Sequence, residues 1–158
     1  MLRPSEFKGF SSIGPHPVIR SASAWSGGNL PLAALRKNGF VAGVREELHS
    51  RSLNADGLSV AAQFRTAKGA QAEVRAELAY FRRTNSLKHF SVQGIPDAYG
   101  YSASSPGFQG YNVYFTDGPF QYLVGAGFSS TASKKPSKAK VISAAAALYR
   151  RVRGHPAP

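Results

Sequence analysis

Few side chains in this sequence have the type and spacing that chemistry needs, and Glu46 is foremost among them. From Phe40 to about His49, Phe40, Ala42, Val44 and Leu48 alternate with Val41, Gly43, Arg45, Glu47 and His49. That period of two predicts a strand, and its parity turns Glu46 the same way as Val44 and Leu48, into the core. A buried carboxylate must find partners or become neutral. Glu46 is therefore expected in a structural salt bridge or backbone hydrogen bond, on a strand that has already left the core, or as the carboxylate of a ligand cavity.

Other constellations point away from catalysis. His16, His49, His89 and His155 are scattered, without a metal-ligand companion at i+2 to i+4, and the chain has no cysteine, so no metal site is expected. No G-x-S-x-G nucleophile elbow is present. Glu73 and Glu77 lie one helical turn apart, near Arg75 and Arg83, and read as a solvated, ion-paired helix face. Gly125-Ala126-Gly127 with Ser130 mimics part of a dinucleotide fingerprint, but Lys134-Lys135-Pro136 intervene before the next helix. A pyrophosphate cradle needs the helix to start within the glycine turn. Those glycines are expected to accommodate a bulge or close helix packing. No catalytic residues and no cofactor are implied.

Charge is the boldest property. Twenty Lys and Arg against eight Asp and Glu give a formal net charge of +12. Such a surface favours polyanions: nucleic acid, anionic lipid or an anionic envelope polymer. Arg150-Arg151 with Arg153 suit a helix C-terminus, where cations complement the dipole. Lys134, Lys135, Lys138 and Lys140 are less ordinary, because they crowd a predicted helix N-terminus and oppose its dipole. A bound anion would relieve that conflict. This loop, with Arg82-Arg83, is the expected anion contact. Tyr99, Tyr101, Tyr111 and Tyr114 offer rings that could stack bases, although no RNP-like pattern accompanies them.

The positioning elements follow from periodicity. Tyr111–Phe128 reads as a β-hairpin turning at Thr116-Asp117-Gly118-Pro119, with Tyr111, Val113 and Phe115 on one face and Phe120, Tyr122, Val124, Ala126 and Phe128 on one face. Residues 1–28 read as irregular, with one helical turn near Pro4. Asn29 can cap a short helix over 30–37, closed by Asn38-Gly39. A loop from Asn54 to Gly57 joins the Phe40 strand to another over 58–65. Thr66 can cap a helix over 67–83 with an apolar stripe of Ala70, Val74, Leu78 and Phe81. Residues 84–97 read as a connection and 99–104 as a further strand. Pro136 opens a last helix, to about Val152, and 154–158 read as a frayed tail. The 158 residues thus make one α+β domain: a mainly antiparallel sheet of about five strands, with two long amphipathic helices packed on one face.

The stretches LRPSEFKGF, GFVAGVREEL, AAQFRTAKGAQAE, VQGIPDAYGYSAS, YNVYFTDGPFQYLVGAGF and LYRRV carry a resemblance. They look like a family of small extracytoplasmic proteins of high-GC Gram-positive bacteria, often lipoproteins, most without an assigned function. The element order is similar to PsbP-like folds and to sensor domains of some actinobacterial receptor kinases. The resemblance implies a non-enzymatic binding or sensing module, engaging a protein, an anionic envelope polymer or a lipid surface. This chain lacks the family's signal peptide and lipobox cysteine, so an exported or lipid-anchored form requires a leader beyond it. No 18-residue apolar run is present, so no membrane span is expected. The competing expectation is a cytosolic, nucleic-acid-associated domain contacting phosphates through the lysine loop.

Overall fold

Alternating aromatic and aliphatic runs build the sheet, and the computed structural model describes residues 1–3, 5–28, 30–83 and 85–154. In chain order the elements are β1 (Ser11–Ser12), α1 (Ala22–Ser26), α2 (Leu32–Lys37), β2 (Phe40–Ser50), β3 (Ala55–Phe64) and α3 (Ala67–Phe81). They continue with β4 (Ser86–Phe90), β5 (Tyr99–Ser105), β6 (Phe108–Asp117), β7 (Phe120–Ser129) and α4 (Lys138–Val152). Among the described residues the strands form one antiparallel sheet in the order β1-β2-β3-β7-β6-β5-β4.

The sheet has seven strands rather than about five. The two additions are its edges. β1 is only two residues long and shows no period, and β4, lying in the expected connection, reads Ser-Leu-Lys-His-Phe with Lys88 and His89 exposed. Short and charged strands blunt a sheet edge, and the same features hide them from a search for alternation. β1 and the five-residue α1 both fall within the segment read as irregular. The expected Pro4 turn, the Asn29 cap and residues 155–158 of the tail lie outside the described residues, as does Thr84.

The central hairpin forms as its sequence asks. β6 and β7 pair from Phe108↔Ser129 to Asp117↔Phe120, leaving Gly118-Pro119 as the loop, with Gly118 at φ 53°. Positive φ is the conformation glycine adopts at least cost. Val113, Phe115, Tyr122, Val124, Ala126 and Phe128 join Val141, Ala144, Ala145 and Leu148 of α4 in one core. The N-terminal segment closes this side with Leu2, Phe7 and Phe10, and Glu6 receives two 2.9 Å bonds from the Arg151 guanidinium on α4.

The second long helix lies on the other side. Ala70 and Leu78 of α3, with Trp25 and Leu35, pack against Val60, Ala62, Phe64, Tyr101, Ala103, Tyr114 and Leu123. Both helices on one face is therefore corrected to one helix on each. Tyr114 and Leu123 have the opposite parity to Val113 and Val124, so the central strands bury both their faces.

Caps set the helix ends. Thr66 Oγ1 accepts from Gly69 N at 3.0 Å and Ser137 Oγ from Lys140 N at 3.2 Å. The first turn of α4 has no acidic residue, so the Ser137 hydroxyl carries the side-chain capping there. Ser137→Ala is expected to lower stability by about 1 kcal/mol in urea unfolding. A loss below a few tenths would show that solvent caps this helix as well.

Candidate functional site

The stripe that docks α3 on the sheet contains two carboxylates. Positions 73 and 77 fall in the same helical arc as 70, 74, 78 and 81. Glu73 is 0 % and Glu77 5 % exposed, which corrects the expectation of a solvated, ion-paired face. Glu77 Oε2 accepts from the fully buried Tyr114 hydroxyl at 2.5 Å and also receives a bond from Gln121. Tyr101 stacks on Tyr114, ring centroids 6.1 Å apart, and their hydroxyls are bonded to each other. Glu73 Oε2 accepts from Asn38 Nδ2 at 2.7 Å, so the end of α2 reaches the same layer.

Few cations face this pair. Arg45 on β2 exerts a favourable field on Glu77, with its guanidinium 5.2 Å from the Trp25 ring. Glu73 Oε1, Gln121 Oε1, Arg45 Nε and Trp25 Nε1 are buried with no hydrogen-bond partner among the described residues. Burial pushes the Glu73 carboxyl up to about 7, the Glu77 charge adds to the rise, and the Asn38 bond opposes it. Burial likewise raises Glu77, against the bonds from Tyr114 and Gln121 and the Arg45 charge.

Two clefts flank α3 above this layer. One, of about 320 Å³, lies between Gln71, Val74, Arg75 and Leu78 of the helix and Tyr99, Tyr114, Phe115 and Thr116 of the sheet, with Asp97 at its rim. Asp97 adopts φ 54°, a left-handed conformation that Asp tolerates better than most residues. The other, of about 210 Å³, runs under the C-terminal end of α3, and Tyr114 lines both. No sequence signal marked these clefts. The carboxylates had only a partial one: their spacing sets them along the apolar stripe, and the packing of α3 decides that both are buried.

The residues singled out from the sequence fall elsewhere. Glu46 is buried at 7 % exposure, as its parity required, and its Oε1 stands 3.8 Å from His16 Nε2. The cavity beside it, among Leu2, Phe7, Phe10 and Leu48, measures about 20 Å³. That is room for about one water and no larger ligand. The lysine cluster sits on the α4 side. Lys135 donates to the Ser130 carbonyl at 2.8 Å and lies 5.9 Å from the Phe128 ring, and Lys138 lies 5.0 Å from the Phe90 ring. None of the ion pairs among the described residues includes Lys134, Lys135, Lys138 or Lys140. Arg82 is on the α3 side, where its Nη2 donates to the Tyr99 hydroxyl at 2.8 Å, with Arg83 next to it just past α3. The two basic clusters therefore pack against opposite faces of the sheet. Of the four tyrosines considered for base stacking, Tyr101 and Tyr114 are buried, and Tyr111 packs on the α4-side core, away from Tyr99.

The α4-and-sheet architecture has a counterpart among solved structures. The fold is similar to that of the extracellular domain of PknH from Mycobacterium tuberculosis. The TM-score is 0.55 at 10 % identity, over 94 % of this chain and 89 % of that one. No protein-family model and no curated protein matches the sequence. The likeness is one of fold. It joins the resemblance drawn from the sequence at the level of an α+β architecture found in an actinobacterial extracellular domain. Among the described residues no helix is long and apolar enough to cross a membrane.

Proposed function

We propose that this chain is a non-enzymatic extracytoplasmic binding or sensing module that takes a small ligand on its α3 side. The observation that carries the reading is the pair of clefts flanking α3, joined at Tyr114 over a buried polar layer. Concave sites with few placed polar groups are where proteins bind small molecules. The fold likeness to an extracellular domain supports the location. Lysines on the opposite side, outside the ion pairs of the described residues, support a second contact, in which Lys134, Lys135, Lys138 and Lys140 engage an anionic envelope polymer or lipid headgroups.

Three measurements test this. An alkaline-phosphatase fusion at the chromosomal gene is expected to be active, because that enzyme folds only after export; an inactive, stable fusion would overturn the location and favour the cytosolic alternative. A thermal-shift screen of small molecules is expected to give ligands whose stabilisation is lost in Val74→Trp, which fills the larger cleft. Ligands indifferent to that change and to substitutions at Phe108 would move the site off α3. For the lysines, Lys134→Glu with Lys135→Glu is expected to weaken binding to anionic vesicles and to flatten its salt dependence. Unchanged affinity would remove the loop from the anion contact.

A further inference from the structure

The smaller cleft has a lining unlike the rest of this protein's surface. It is walled by Leu58, Leu87, Tyr101, Ala103, Phe108 and Leu123, and among the described residues no charged side chain lines it, in a chain with 28 charged residues. Beside it the sheet carries a glycine floor. Gly110 pairs with Gly127 and Asn112 with Gly125, so three side-chain positions on this face are bare. The space is used: a Cβ on Gly127 would lie 2.7 Å from the Phe108 ring, and one on Gly125 would collide with the Asn112 carbonyl. These glycines therefore serve neither a bulge nor a helix contact. They let the Phe108 ring pack against the bare backbone while it stays 42 % exposed.

We infer that this trough binds a flat, neutral, largely apolar molecule of one or two rings carrying a single hydrogen-bonding group. Resting on the reading of the α3 side as a binding face, it names the ligand class. Phe108 shows that the glycine floor accepts an aromatic ring close against it. A cavity of about 150 Å³ holds benzene, so about 210 Å³ suits up to two fused rings. An ionised ligand would lose its hydration here and meet no countercharge. Asn112 lines the cleft and supplies the polar contact, and Phe108 is the aromatic wall on which the ring stacks.

The test is calorimetric titration of the whole chain at pH 6.5 with 2-naphthol, and with 2-naphthoate as its charged counterpart. Naphthol is expected to bind saturably, and naphthoate at least tenfold more weakly. Phe108→Ala is expected to weaken naphthol about tenfold with an unchanged melting temperature, since that side chain is substantially exposed. No naphthol binding, equal binding of naphthoate, or unchanged affinity in Phe108→Ala would each overturn the inference. If other ligands lose binding in Val74→Trp while naphthol fails, this ligand class falls and the broader binding reading stands. A cytosolic location would overturn the broader reading and leave this site in place.

Discussion

Raising the pH from 5 to 8 is expected to lower the stability of this protein by about 3 kcal/mol, seen as falling urea midpoints. The cause is Glu73. Burial raises its carboxyl from an ordinary 4.5 to about 7, so between those values the native state holds a proton that the unfolded chain has released. Stability then falls with rising pH; its full value is present below about 4.5 and is lost as pH passes through about 7. Each pH unit of that separation is worth about 1.4 kcal/mol. The groups facing Glu73 and its neighbour cannot offset the charge. Asn38 comes from the end of α2, Glu77 from the next turn of α3, Tyr114 and Gln121 from the sheet, and among the described residues Arg45 is the cation, with its field on Glu77. Glu73→Gln keeps the shape and removes the titration. Its urea midpoint is expected to vary less between pH 5 and 8, by that same amount, and to exceed that of the parent chain at pH 8. Parallel curves for the two chains would mean that Glu73 is ionised throughout.

Gly43→Ala is expected to cost about 3 kcal/mol, the upper end for overpacking a filled site, and to move the emission of the only tryptophan to the red. Gly43 lies on β2, and a Cβ there would come within 2.5 Å of the Trp25 ring. That ring is 2 % exposed and stacked on Phe40 at 5.4 Å, so it cannot slide along the sheet. The Gly43 backbone is also fixed, exchanging 2.8 and 2.9 Å bonds with Ile19. The ring must therefore leave its place, and α1 goes with it. Because Arg45 packs on the same ring, the change is also expected to loosen the cation that faces Glu77. A variant with native emission and an unchanged urea midpoint would show that the α1 segment shifts as a body at little cost.

Local signals in this chain were legible where one physical requirement governs one short stretch. Thr66 caps α3 because an N-terminus leaves unpaired N–H groups wherever it occurs, whereas α4 starts after Ser137 rather than at Pro136. Gly118 turns the hairpin, and Asn38-Gly39 closes α2, for equally local reasons. Glu46 is buried because strand parity leaves it no other side. The edges β1 and β4 were hidden, since one is too short to show a period and the other is charged.

The candidate site was hidden for a different reason. Glu73 and Glu77 look like surface residues by type, and only the packing of α3 shows that they are buried. The glycines of β6 and β7 look like flexibility or a bulge, until the register sets Phe108 and Asn112 over them. The sequence by itself determined the α+β class, the hairpin, the Thr66 cap and the basic surface, because each rests on periodicity, turn chemistry or composition that short stretches carry. Tertiary structure alone decided that α3 and α4 take opposite faces, that two carboxylates lie beneath α3, and that an uncharged trough opens beside them. Those outcomes depend on which distant elements meet, and side-chain type says nothing of the neighbour it will be given.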